Sequence, residues 1–389
     1  MMHPRMHPGR NLVDMTDSYR SGARRTTRTA TGNRADRTPR HPRSGRTYGP
    51  GTGNRAPRRK SPHKFVVVAL VISMIATLGG IGGWAYLKSL SDGLDRLDAF
   101  EGLEDRPEKV VDGSLNLLVL GSDSRNPDST HGSRADTIMV LHVPADGTAA
   151  YIISLPRDLW VEIPATPDGS WGGGMSKLNA ALAHGGLPLM VATVENYSGV
   201  LIDHVVEIDF DGLIAVVDAL GGITMTVEPA AGEDTLVSIH APYREFTAGE
   251  QELGGAEALD YVRQRKQFAD GDFARMRHQQ ELLMSMMDKA TSAGILTDAG
   301  ALTAFLNSAI DAVRVDQDFD LVGTGLQFSN LRSDDLTFLT SPNLGTDFIG
   351  NESVVISDTE TATSMYEAIT NDTLSTWMAE HPDLVKNTE

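Results

Sequence analysis

The stretch VVEIDFDGLIAVVDALGGITMTV (205–227) decides the fold class. Val205–Phe210 is a β-branched run that reads as a strand, Gly212–Leu220 is an apolar helical segment closed by Gly221-Gly222, and Ile223–Val227 reads as a further strand. Strand, helix and strand in so short a span imply helices layered on a sheet, an α/β fold. Upstream, the apolar run Leu117–Leu120 ends at Gly121, and Thr137–Val143 and Tyr151–Leu155 are two more strands. Asp146-Gly147 between the last two is a hairpin signal, so they should be antiparallel and the sheet mixed. Leu178–His184 looks like a short helix stopped by Gly185-Gly186, and Pro188 opens another through Tyr197. Gly255–Arg263 and Asp272–Ala290 read as helices, the second with Phe273, Met276, Leu283 and Met287 along one stripe. Shorter pieces at 301–313, 335–339 and 360–369 complete the same domain.

Charge is distributed unevenly. Residues 1–64 carry 16 Lys+Arg and three acids, residues 88–389 carry 18 Lys+Arg and 49 acids, and the whole chain is −18. The first 64 residues, rich in Arg, Pro, Gly and Ser, lack the apolar content to fold and read as a disordered basic tail. Phe65–Leu87 is uncharged for 23 residues, enough for a single transmembrane helix, and its leader is too long for a cleaved signal peptide. Five Lys/Arg in 50–64 against two in 88–102 put the N-terminus in the cytoplasm and the rest outside. The tail then meets anionic membrane lipids; no base-reading motif accompanies it, so no nucleic acid is expected. Residues 88–113 read as a connector, 114–375 as the folded domain and 376–389 as a C-terminal tail. With no cysteine, disulfides, thiolate metal sites and cysteine nucleophiles are excluded.

Within this acidic region five cations (Arg263, Arg265, Lys266, Arg275, Arg277) crowd into YVRQRKQFADGDFARMRHQQ (261–280). Like charges so close call for an anion among them. Arg275 and Gln279 share a helical face, and Asp272 looks like the N-cap of that helix. Arg275 would then lie in the first turn, tolerable if it shares an anion with the free N–H groups. Lys266 and Arg277 read as a solvated flank. A second polar group gathers where the early strands end or begin: Asp123 and Arg125, Arg134 and Asp136, Arg157 and Asp158. Antiparallel pairing would bring all of them to one sheet edge. Singly, Asp123 and Asp136 are as well read as turn residues with arginines neutralising them. Together, hard carboxylates suit Mg2+, or Mn2+ in its place, and arginine forks suit phosphate, which makes a pyrophosphate site. No G-x-S-x-G, H-E-x-x-H, P-loop or dinucleotide fingerprint competes with this.

NLLVLGSDSR (116–125), RADTIMV (134–140), SLPRD (154–158), KLNAA (177–181), ALDYVRQR (258–265) and DFARMRHQQ (272–280), in this order, resemble the LytR-CpsA-Psr family of cell-wall enzymes over about residues 114–370. The resemblance implies an α/β/α sandwich outside the membrane, with a lipid tail in an apolar channel. It implies transfer of a phosphoglycan, of teichoic acid, capsule or arabinogalactan type, from a polyprenyl-pyrophosphate carrier to peptidoglycan. Asp123 and Asp136 would correspond to the metal-binding carboxylates, and Arg157, Arg263, Arg265, Arg275 and Gln279 to the pyrophosphate contacts. Arg125 or one of the carboxylates would orient the acceptor hydroxyl. His278 stands where the family more often has arginine. Two other functions suit the same residues: hydrolysis of the lipid pyrophosphate by water, and a carrier- or wall-binding scaffold without turnover.

Overall fold

The computed structural model describes residues 88–122, 135–230, 233–327, 331 and 333–385. The expected basic tail and the apolar span 65–87 lie outside them; among the described residues no helix is long and apolar enough to cross a membrane.

The strands, in chain order, are β1 (Asp95–Leu97), β2 (Leu115–Ser122), β3 (Ala135–Val143), β4 (Ala150–Ser154), β5 (Trp160–Ile163), β6 (Gly174–Lys177), β7 (His204–Asp209), β8 (Ile223–Val227), β9 (Thr235–Val237), β10 (Glu245–Thr247), β11 (Gly249–Leu253), β12 (Val313–Asp316), β13 (Leu336–Thr340), β14 (Asn343–Ile349) and β15 (Glu352–Ser357). Seven of them form the central sheet in the order β1-β12-β7-β2-β3-β4-β13. The sheet is mixed, as expected: β2, β4, β7 and β13 run one way and β1, β3 and β12 the other. The antiparallel β3–β4 hairpin turns at Asp146-Gly147, where Gly147 takes φ 62°.

Helices cover both faces. In β2, Leu118 and Leu120 point to one side and pack with Met190, Val191 and Val194 of α1 (Ala180–Ser198). Leu115 and Leu117 point to the other side, toward Ile310 and Val313. Full burial of each such side chain contributes about 1.5–3 kcal/mol. Helix α1 is two helices joined at Gly185 and Gly186, whose backbone is non-helical, so the stop read from the sequence is real. On the second face lie α2 (Phe210–Ala219), α3 (Gly255–Val262), α4 (Asp272–Ala290) and, beyond the short α5 (Ala293–Thr297), α6 (Ala299–Asp311). Helices α2 and α3 touch backbone to backbone, and a Cβ at Gly255 would collide with the carbonyl of Ile214.

Three expectations need correction. Residues 88–113 are not merely a connector: β1 joins the sheet edge beside β12, and Arg106 is held by the buried Glu195 of α1 at 2.7 Å. A three-residue edge strand, Asp-Arg-Leu, carries too little pattern to be seen in sequence. Ile223–Val227 forms a strand, but among the described residues it pairs with β11 alone, outside the central sheet. The ordered body also runs past 375, because Trp377 of the C-terminal helix Leu374–Glu380 is buried against the cluster around Tyr366.

Candidate active site

Topology brings the polar residues together. Strands β2 and β4 end, and β3 begins, at the same sheet edge, with Ala135 opposite Ser122 and Met139 opposite Ser154. Asp136 is therefore beside Arg157, whose Nη1 donates directly to Asp136 Oδ1. Helix α4 arrives from the second face and adds Arg275, which donates through Nη2 to the Asp136 carbonyl at 3.0 Å and to Asp272 Oδ2 at 2.9 Å. Asp272 Oδ1 lies 3.5 Å from Arg265 Nη1 and 3.7 Å from Arg157 Nε. Gln279, one turn beyond Arg275 and buried, lines the same small hollow. Arg263 is the half-buried C-cap of α3. Asp123, Arg125 and Arg134 lie outside the described residues.

Asp272 is not the N-cap that the sequence suggested. Gly271, with φ 54°, takes the cap, a conformation strained for any residue with a Cβ, and Asp272 is the first helical residue. Its carboxylate serves instead as counter-charge to three guanidinium groups. The i,i+3 spacing to Arg275 was the signal available in the sequence. Asp158, which the sequence gathered at this edge without a role, lies 3.7 Å from Arg157 Nε, and Lys177, which the sequence did not place there, lies 3.1 Å from Asp158.

The electrostatics favour an anion. Arg157, Arg265, Arg275 and Lys177 face Asp136, Asp158 and Asp272, an excess of one positive charge in a strongly acidic region. The Nε atoms of Arg157 and Arg275 are buried and have no hydrogen-bond acceptor among the described residues. Each such donor costs about 1–3 kcal/mol until an acceptor arrives. Burial also pushes the Arg275 guanidinium below the ordinary arginine value, against the pull of Asp272 and Asp136. An oxyanion with several acceptor oxygens would relieve all of these. Asp136 keeps 28% of its side chain exposed, so it could supply one carboxylate of the one or two that, with substrate phosphates, usually hold Mg2+. Among the described residues no three His, Asp or Glu side chains gather as an all-protein cage.

Arg277 and His278, also within 261–280, are structural. Arg277 pairs with Asp270 and, at 3.0 Å, with Glu228. His278 packs between Tyr261 and Phe268, at ring-centroid distances of 4.5 and 4.9 Å. Burial pushes its imidazole below the ordinary value although Glu228 lies 3.2 Å from Nε2, so it adds no charge at neutral pH.

Below the arginines the same helix turns apolar. Leu283, Met286, Met287 and Ala290 of α4 line a cavity of about 380 Å3, together with Leu117, Met139 and Ile152 of the sheet, Leu213 and Val216 of α2, and Phe305 of α6. Met139 borders both this cavity and the hollow under Arg275. Around α4, at about 100° per residue, Arg275, Gln279, Leu283 and Met286 fall within about 80° of one another, so head and tail share one helical face.

The model of the LytR_cpsA_psr family matches residues 90–371. The chain belongs to the LytR_cpsA_psr family. Among members, it is 28% identical to the cell wall biosynthesis protein LcpA of Corynebacterium glutamicum, over 75% of this chain and 62% of the relative. The probable cell wall biosynthesis protein LcpB of the same organism is 36% identical over 64% of this chain and 56% of its own length. The chain thus spans less than two thirds of either relative. The polyisoprenyl-teichoic acid–peptidoglycan teichoic acid transferase TagU of Halalkalibacterium halodurans is 32% identical over 66% of this chain and 81% of its own. Two solved structures share the fold: gbs0355 of Streptococcus agalactiae (TM-score 0.58, 20% identity, 67% of this chain and 88% of that one) and TagV of Bacillus subtilis (TM-score 0.54, 25% identity, 68% and 98%).

Proposed function

We propose that this LytR_cpsA_psr protein transfers a phosphoglycan from a polyprenyl-pyrophosphate carrier to peptidoglycan, anchored by residues 65–87 with its N-terminus in the cytoplasm and the folded domain outside. One observation carries the proposal: a single face of α4 runs from the buried Arg275, whose Nε has no hydrogen-bond acceptor among the described residues, into an apolar cavity. A ligand matching that face has a multiply charged oxyanion at one end and a hydrocarbon chain at the other. The transferase TagU, among the relatives, is named for such a donor and acceptor.

In this reaction an acceptor hydroxyl oxygen bonds to the glycan-side phosphorus, and the bond from that phosphorus to the bridging oxygen breaks. Polyprenyl monophosphate departs with the bridging oxygen, and the hydroxyl proton passes to water. Arg157, Arg265, Arg275 and Gln279, with Arg263, hold the pyrophosphate and stabilise charge on the leaving phosphate, since phosphoryl transfer is governed by positioning and neutralisation. Mg2+ at Asp136 and Asp123, when bound, would add charge neutralisation at the phosphoryl oxygens.

The test is transfer from a short-chain polyprenyl-pyrophosphate disaccharide to solubilised peptidoglycan strands, with and without Mg2+. Arg275→Lys should lower kcat/KM by at least about 100-fold, the loss expected for one preorganised donor at developing charge. Wild-type rates in this variant, or release of glycan phosphate to water with no product on peptidoglycan, would refute the transfer reading.

A further inference from the structure

Beside the arginine cluster, on the side away from the apolar cavity, is a second and wider space. It is a cleft of about 880 Å3 between the β5–β6 hairpin, the 265–272 loop and the β14–β15 hairpin, and it shares Arg157, Arg265 and Asp272 with the pyrophosphate site. Its other walls carry hydroxyl, amide and charged groups, Ser176, Lys177 and Asn179 on one side and Thr346, Glu352 and Ser353 on the other, interspersed with the apolar Phe268, Val354 and Val355. Lys266 stands exposed at its rim and makes no ion pair among the described residues, whereas Lys177, Arg265 and Arg275 are all paired with carboxylates.

Its place relative to the cavity decides what it takes. The donor's lipid phosphate lies toward Gln279 and Leu283, because the cavity that would receive the chain begins there. In-line displacement at phosphorus requires the attacking oxygen to come from the side opposite the leaving group. Along α4, the opposite side is its N-terminal end, Gly271 and Asp272, and these residues border the cleft. A space lined with hydroxyls, amides and charged groups matches a polyhydroxylated ligand, with Lys266 available to an acidic substituent.

We propose that this cleft is the acceptor subsite, binding an oligosaccharide segment of the acceptor glycan and presenting its hydroxyl in line with the pyrophosphate. The proposal rests on the transfer reading above for its chemistry, though binding can be measured without turnover. Thr346 and Ser353 are exposed on the β14–β15 hairpin, so Thr346→Trp and Ser353→Trp fill the cleft without disturbing a core. Two readouts are needed. In the transfer assay, either variant should raise KM for peptidoglycan strands by tenfold or more and leave KM for the lipid-pyrophosphate disaccharide within twofold. In ligand-observed NMR with the strands alone, wild type should bind and Thr346→Trp should not. Raised donor KM with unchanged acceptor KM would mean that the cleft holds the donor's glycan and would overturn the assignment. Unchanged KM for both would overturn it too, as would equal strand binding by wild type and Thr346→Trp. If wild type binds strands and Thr346→Trp does not, but no transfer occurs, the subsite stands and the transferase reading falls.

Discussion

Substituting Asp272 by Asn keeps the shape of the side chain and deletes the charge at the centre of the arginine cluster. In the wild type this carboxylate lies 2.9 Å from Arg275 Nη2, 3.5 Å from Arg265 Nη1 and 3.7 Å from Arg157 Nε. The tightest of these pairs is well shielded, with 7% of the Arg275 side chain and 17% of the Asp272 side chain exposed. Breaking a buried ion pair by removing one partner costs about 3–5 kcal/mol. Here Asp136 stays 3.7 Å from Arg275 and asparagine keeps an acceptor oxygen, so a loss of about 2–3 kcal/mol is expected. For a domain of this size that corresponds to a fall in Tm of about 3–5 °C. The variant also leaves the cluster with a second uncompensated positive charge. Inorganic pyrophosphate should therefore raise Tm more in Asp272→Asn than in wild type, because a ligand bound only by the folded state stabilises it by an amount that grows with the logarithm of its affinity. Calorimetry of both proteins, with and without millimolar pyrophosphate, reads both effects. An unchanged Tm in the variant, or a smaller pyrophosphate increment than in wild type, would show that Asp272 is not the counter-charge of an anion site.

Two further outcomes follow from other parts of the molecule. Met287→Trp should fill the apolar cavity and displace roughly four methylene groups of a bound chain, a loss of about 3 kcal/mol or about 100-fold in affinity for the lipid-linked donor. Affinity for inorganic pyrophosphate should be unchanged by calorimetric titration; equal losses for both would place the chain elsewhere. The second concerns His142, fully buried in the sheet, with Nδ1 2.7 Å from Asn116 Oδ1. Burial pushes it down to about 4, although Asp372 Oδ1 lies 3.3 Å from Nε2 without the alignment of a hydrogen bond. The unfolded chain binds this proton first, so the associated stability is complete above pH 6.5 and is lost as pH falls toward 4, by about 3 kcal/mol in all. Urea unfolding across this range should show a slope shallower by nearly one proton in His142→Asn; an equal slope would contradict the burial argument.

The sequence was most informative where pattern and punctuation agreed. Helix α4 begins and ends at the residues its periodicity indicated, and Gly185-Gly186 followed by Pro188 marked a real break in α1. The meeting of Asp136 and Arg157 was legible because the short antiparallel connections left one arrangement of strand ends. Other features carry no local signature. Asp272 looks the same in sequence whether it caps a helix or neutralises arginines, and the difference lies in the positive φ of Gly271. Leu283 and Met287 have the spacing of core residues, and only the space left between α4 and the sheet makes them cavity walls. Strand β8 pairs with β11 rather than the central sheet, a choice set by tertiary packing.

Because α4 carries both the guanidinium end and the hydrocarbon end of the groove, it acts as a ruler. From Arg275 to Ala290 the helix rises about 22 Å at 1.5 Å per residue. Each residue added or removed between Gln279 and Leu283 would rotate one end against the other by about 100°, turning the apolar wall out of register with the arginines. If the groove holds the lipid-linked donor proposed above, chains of this design would change the length of tail they grip only in whole turns of three or four residues, or by trading large side chains for small ones along the wall. Carrier selectivity should thus drift through positions such as Met286 and Met287, while the spacing between head and wall stays fixed.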